Sequence, residues 1–281
     1  MSRGDKVNRC AAIVVLDATV LTATVDGTGR LSTPIAETHA RLDDVRTMVD
    51  GIAALAAPLM AAPDGPTVTG LGLAVPFAVD GPDGVLTGID GSTGLNGAPL
   101  ARLLRDRLGT MVHCAKSVAA AAHAEWRFGA GRGAHDMVYL ETGRELSGAV
   151  IVDGRLLKGR RGLAAEFAHL GSGWWAGVPA HAGAERRVPV NVRAQGEALS
   201  PLDEADLIAA ALTTLIPAYA PDTVVLRHRE DSPPEFISMV TAAVRTRVSH
   251  LPRLASPQLG NRERRLVGAA SMFFEAERSS G

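Results

Sequence analysis

The chain opens twice in the same way, and that echo constrains the fold more than any other feature. Ala11 to Leu16, Val20 to Val25 and the segment after Gly29 are rich in Val, Ile and Thr, and the turns Asp17-Ala18 and Asp26-Gly27-Thr28-Gly29 separate them. They read as three consecutive antiparallel strands. Met137 to Leu140 and Leu146 to Val152, with Asp153-Gly154 leading into Arg155 to Lys158, repeat the pattern. Two such openings seed two sheets, and a chain of 281 residues, 46% apolar, is long enough to bury both in α/β lobes.

The remaining chain supplies helices and further strands. Ala40 to Ala61 carries a helical apolar stripe, Val68 to Val75 reads as a strand, and Ala98 to Leu108 is a short helix before a strand at Met111 to Cys114. The alanine-rich Val118 to Phe128 is a helix ended by the glycine turn Gly129 to Gly133 and is expected to link the lobes. Beyond 171–199, a stretch broken by prolines, come a helix at Asp203 to Ile216 capped by Ser200 or Asp203 and a buried-type strand at Thr223 to Leu226. A helix at Pro234 to Ser249, a strand within Leu251 to Pro257 and a terminal helix from Arg262 to Glu277 complete the reading.

Charge and cysteine content exclude several classes. A formal net charge of -1 gives no electrostatic reason to expect nucleic acid or an anionic membrane as a partner. The basic run Asn261 to Arg265 is expected to be a solvated face at a helix start. No apolar run reaches the roughly 18 residues of a membrane span, and MSRGDKVNR lacks the apolar core of a signal peptide, so a cytoplasmic location is expected. Cys10 and Cys114 lie far apart, outside any C-x-x-C pattern, which argues against a disulfide framework and a cysteine zinc site. Both read as small apolar strand residues.

Three motifs in the middle of the chain belong together: FGAGRG at Phe128 to Gly133, VDGRLLKG at Val152 to Gly159, and Glu166 with His169. On these the chain resembles the repressor/open-reading-frame/kinase (ROK) family of sugar kinases and sugar-responsive repressors, in weaker form from Ala11 to the C-terminal helix. The resemblance implies an α/β, actin-like (ribonuclease H-like) two-lobed ATPase fold, which accounts for the echo. It implies an N-terminal lobe over 1–115, a C-terminal lobe over 116–261, a cleft near Ser117, and a terminal helix, 262–281, packing back on the first lobe. It also implies a homodimer.

The polar residues that such a kinase needs are largely absent. Transfer of a phosphoryl group from ATP requires backbone N–H groups around the phosphates, a metal position and a carboxylate base. Where the family carries D-x-G-G-T-K, this chain reads Val14-Val15-Leu16-Asp17-Ala18-Thr19; the leading Asp and both glycines are gone. The base, the Asp of E-N-D-A-N, aligns with Ser117, and a serine needs its own activator to act at neutral pH. Lys116 replaces a sugar-contacting Asn, so a donor-and-acceptor amide becomes a donor-only cation that favours an anionic ligand. The second phosphate hairpin reads Gly143-Arg144-Glu145-Leu146-Ser147-Gly148-Ala149, with a carboxylate that repels triphosphate. The adenine-side V-V-L-G-G-G reads Val224-Val225-Leu226-Arg227-His228-Arg229.

Glu166 and His169 are retained, and in the family they touch the sugar. Ser92 aligns with another sugar-contacting Asn and Phe77 with the glycine of V-P-G. No cysteine follows Cys114, so the family's zinc ligands cannot exist; Glu166, His169 and His181 have no regular zinc spacing, and no metal is expected. The candidate ligand residues are therefore Glu166, His169, Ser92, Lys116 and Ser117, with no catalytic residue and no cofactor. The reading is a non-catalytic ROK-type pseudokinase domain, sensing a sugar or anionic sugar derivative or serving association in bacterial regulation. With about ten residues before Ala11, no DNA-binding domain of its own is expected. The alternatives are a sugar kinase in which Asp17, Asp90 or Glu166 takes over as base, and a purely structural homodimer module.

Overall fold

A computed structural model describes residues 8–40, 42–61, 67–89, 94–142, 146–165, 167 and 200–280. In it the echo becomes a repeat of sheet topology. The first sheet contains β1 (Arg9–Leu16), β2 (Thr19–Asp26), β3 (Ala36–His39), β4 (Val68–Val75) and, beyond the small hairpin β5 (Ala78–Asp80) and β6 (Val85–Thr87), β7 (Met111–Lys116). Its order is β3-β2-β1-β4-β7, with β2 antiparallel to β1 and β3, and β4 parallel to β1 and β7. The second sheet contains β8 (Met137–Glu141), β9 (Ser147–Val152), β10 (Arg155–Leu156), β11 (Thr223–Arg227) and β12 (Arg253–Ala255). Its order, β10-β9-β8-β11-β12, reproduces the first strand for strand, including the change from antiparallel to parallel pairing.

Contacts divide the chain into two compact units. The first is Met1–Phe128 with Lys158–Leu163 and Leu259–Gly281; the second is Gly129–Leu157 with Ala164–Gln258. The division falls after the helix α3 (Ser117–Phe128), whereas the resemblance implied a boundary at 115/116.

In the first unit α1 (Val45–Met60) and α2 (Leu100–Leu108) cover one face of the sheet, burying Ile13, Val15, Leu71, Leu73 and Val112 with Met48, Ile52 and Leu104. The terminal helix α6 (Asn261–Ser280) lies across β1, β4 and β7 and packs on α3. Because both faces are covered, β1 is a continuous apolar run rather than an alternating one. The close approach of α6 is permitted by glycine: a Cβ on Gly72 would lie 2.4 Å from the Ala269 carbonyl oxygen, and one on Gly268 1.8 Å from that of Ala120. In the second unit α4 (Pro201–Tyr219) and α5 (Phe236–Arg245) pack together, with Leu212, Leu215, Phe236, Val240 and Val244 in its core.

Two sequence expectations change. The basic run at 261–265 is not a solvated face throughout: Asn261 and Arg262 are exposed, but Arg264 and Arg265 are buried. The 3.6-residue period places Arg264 on the same stripe as Gly268 and Met272, which faces the unit. Its Nη1 lies 3.9 Å from the Glu125 carboxylate, which is fully buried on α3 and accepts the Leu259 N–H at 2.9 Å. The first helix starts at Val45 rather than Ala40, because Asp44 and Thr47 form a capping box there. Cys10 and Cys114 are buried in β1 and β7, and burial raises both thiols, Cys114 to about 12, which leaves them unreactive.

Candidate functional site

Parallel strands bring their carboxyl ends to one edge of a sheet, the usual place for a ligand in open α/β folds. In the first unit the register pairs Val14 with Ala74 and Val75 with Lys116, so the ends of β1, β4 and β7 share one rim. At β1 the ladder runs to the pair Leu16 and Thr19, and two residues close the hairpin, with Asp17 in the left-handed region at φ 44. Asp17 is thus the exposed turn residue that the strand pattern predicts, while Val14 and Val15 are buried. At β4, Pro76 and the half-buried Phe77 follow directly, the latter packed on the apolar core. At β7, Lys116 ends the strand and Ser117 begins α3 with no intervening loop, both half-buried.

Lys116 and Ser117 therefore sit side by side on this rim. Ser92, Glu166 and His169 lie outside the described residues, as do Asp90, His181 and the turn at 143–145. Among the described residues no imidazole or carboxylate hydrogen-bonds the Ser117 hydroxyl.

In the second unit the residues at the end of β11 are engaged locally. Arg227 pairs with Glu141 in the ladder, accepts the Thr142 N–H at 2.9 Å and returns its Nη1 to the Thr142 carbonyl at 3.2 Å. The His228 ring lies 5.0 Å from the Phe236 ring, and Arg229 makes an ion pair with Asp231. Side chains thus occupy positions where glycines would leave bare backbone.

Two further histidines, His123 and His135, have partners of their own. His123 is buried, with Nε2 3.1 Å from Glu275 Oε2; that bond holds the Glu275 carboxyl below its usual range against the opposing effect of burial. His135 lies near Asp136 and Asp153, and the Asp136 side chain raises its imidazole. Asp136 Oδ1 already accepts the Asp153 N–H at 2.8 Å. β10 ends at Leu156 rather than at Lys158, and Lys158 instead opens the segment Lys158–Leu163, which belongs to the first unit and displays three cations on its surface. Its signal, consecutive cations between two glycines, is visible in the chain but has no meaning until the packing is known.

A two-unit fold with duplicated β-β-β-α-β-α-β topology defines the class. Three solved structures share it along nearly the whole chain. The ROK hexokinase from Thermus thermophilus has a TM-score of 0.78 at 23% identity, covering 97% of this chain and 100% of that one. A ROK family glucokinase from Streptomyces griseus in complex with glucose and AMPPNP gives 0.74 at 21%, covering 94% and 98%. A ROK family transcriptional regulator, a homolog of the E. coli MLC protein, gives 0.74 at 13%, covering 95% and 78%. The fold is the actin-like ATPase fold.

The ROK family model matches residues 24–183, and the chain belongs to the ROK family. Among characterised proteins it is 29% identical over 196 residues to the bifunctional enzyme NanE/NanK of Brucella melitensis, 62% of this chain and 37% of that protein. It is 35% identical over 72 residues to the glucokinase of Streptomyces coelicolor, 26% of this chain and 23% of that one. The chain thus spans well under half the length of these relatives.

Proposed function

We propose that the chain is a non-catalytic ROK domain that binds a sugar or sugar derivative and acts in bacterial transcriptional or metabolic regulation, as a sensor or through association with a second copy. The observation that carries this reading is the rim itself. Buried Val14 stands where the family motif has a carboxylate, a two-residue hairpin stands where it has a glycine loop, and Ser117 stands where it has the base. Phosphoryl transfer is almost wholly positioning and charge stabilisation, and each of those three requirements is altered. The likeness to both a hexokinase and a transcriptional regulator is compatible with either role, and the altered rim residues are what support the non-catalytic one.

Two observations favour the kinase alternative: Asp17 is an exposed carboxylate on the same rim, and the curated relatives include glucokinases. A coupled ADP-release assay over a sugar panel, run beside an active homologue, separates the two. Loss of a general base alone costs about 10²- to 10⁴-fold, so the native chain is expected to show no sugar-dependent turnover, and Ser117→Asp is expected not to restore it. Turnover within about tenfold of the homologue, well inside that loss, would reject the non-catalytic reading and install the kinase.

A further inference from the structure

Lys158, Arg160 and Arg161 are all exposed, and among the described residues none makes a side-chain hydrogen bond or ion pair. Some exposed arginines elsewhere do hold an acid: Arg262 holds Glu37 at 2.8 Å and Arg247 holds Asp206 at 2.8 Å. An unpaired charge run is ordinarily a solvated face on a relaxed backbone. This one is neither relaxed nor loose. Arg161 sits in the left-handed region at φ 62 and ψ 21, a conformation that costs a non-glycine residue about 1–2 kcal/mol. Gly159 and Gly162 flank it with φ 64 and φ 67.

The first unit holds the segment in that shape. Thr87 Oγ1 on β6 donates to the Arg161 carbonyl at 2.8 Å. Gly162 lies so close to β5 that a Cβ would fall 2.2 Å from the Val79 carbonyl oxygen. β5 in turn packs against β7, the strand that ends in Lys116. Lys158 is near enough to β7 that its charge, after burial, helps to lower His113 to about 4. The arrangement holds the backbone of the segment in a strained shape with no anion bonded to its three cationic side chains among the described residues, and the planar forks of the two guanidinium groups suit phosphate and carboxylate oxygens.

We propose that Lys158, Arg160 and Arg161 form an anion-recognition site for the phosphate or carboxylate of a sugar derivative whose sugar ring is bound at the rim that includes Lys116. This rests on the reading of the chain as a sugar-binding domain and names the ligand class.

The test is isothermal titration of the full chain with glucose, mannose, their 6-phosphates, glucuronate and inorganic phosphate at low and high salt. Alongside the native protein it uses the triple variant Lys158→Ser, Arg160→Ser, Arg161→Asn, in which Asn tolerates the left-handed position. A sugar phosphate or glucuronate is expected to bind at least about tenfold more tightly than its neutral parent, the scale of one charge-assisted hydrogen bond. The preference is expected to weaken with salt and to vanish in the variant; whether the phosphates or glucuronate show it identifies the anion. Neutral sugars binding as tightly as charged ones, with the variant unchanged, overturn the anion site and leave sugar binding intact. Inorganic phosphate matching the sugar phosphates also overturns it, because the sugar then contributes nothing. Binding of no probe overturns both this proposal and the sugar-binding reading. If the variant is unfolded, the salt dependence and the charged-to-neutral ratio of the native chain decide alone.

Discussion

The two units have the same strand order, yet they close their sheets by different chemistry. In the first, α6 meets β4 and α3 through backbone contact at Gly72 and Gly268, beside a buried Glu125 and Arg264. In the second, α4 and α5 close the core with side chains, from Leu212 and Leu215 to Phe236, Val240 and Val244. Topology therefore sets which faces must be covered, and the residues choose how. Backbone contact leaves no room for a methyl group, whereas a side-chain core yields gradually as atoms are removed.

Gly268→Val is the harshest test of that contrast. The new Cβ has no rotamer that avoids the Ala120 carbonyl, so a loss of about 4 kcal/mol or more is expected in urea titration. Hydrogen exchange should show β1 and β4 amides opening while β8 and β11 stay protected; uniform loss in both sheets would mean that the units do not respond separately. Phe236→Ala is the counterpart in the second unit, with about 3–4 kcal/mol lost and the exchange pattern reversed.

Glu125→Ala follows, at about 3 kcal/mol, because it leaves the buried Arg264 guanidinium without its nearest carboxylate. The double variant with Arg264→Met is expected to recover most of that loss; a strictly additive result would show that the ion pair is not the cause. Acidification probes the same unit. His113 is held at about 4, first by burial and then by Lys158, against 6.5 in the unfolded chain. The unfolded state binds the proton first, so stability present above pH 6.5 falls as pH drops towards about 4, by roughly 3 kcal/mol. His113→Gln should flatten that window in melts taken between those limits. The smallest effect is Ser200→Ala, which removes the cap whose hydroxyl accepts the Asp203 N–H at 3.2 Å at the start of α4. About 1 kcal/mol is expected in urea titration.

Much of the architecture was legible. The strand at Val68 to Val75 carries its limits in its own composition, and the hairpin turns do so in Asp17-Ala18 and Asp153-Gly154. The first helix was read too long at its start because Leu42, buried ahead of the helix, extends the apolar stripe past the true cap. At the site, Lys116 and Ser117 were reached through motif resemblance, and the structure sets them together at the end of β7. Lys158 was read only as a strand end and Arg160 and Arg161 were given no role, because nothing in the local pattern shows which surface holds them.

What the sequence determined by itself were the features set by near neighbours: the two three-strand openings, the apolar runs of β1 and β4, and the loss of glycines and carboxylate from the first hairpin. Local sterics and side-chain period decide these within a few residues. Only tertiary structure decided that Arg264 is buried against Glu125, that Gly268 must be glycine, and that Arg161 is held in a left-handed conformation. Each depends on a partner far along the chain: the Thr87 hydroxyl reaches Arg161 across 74 positions, and Gly268 meets a carbonyl on α3. No local pattern encodes such a contact, because what makes a residue buried or strained there is the surface that another segment brings to it.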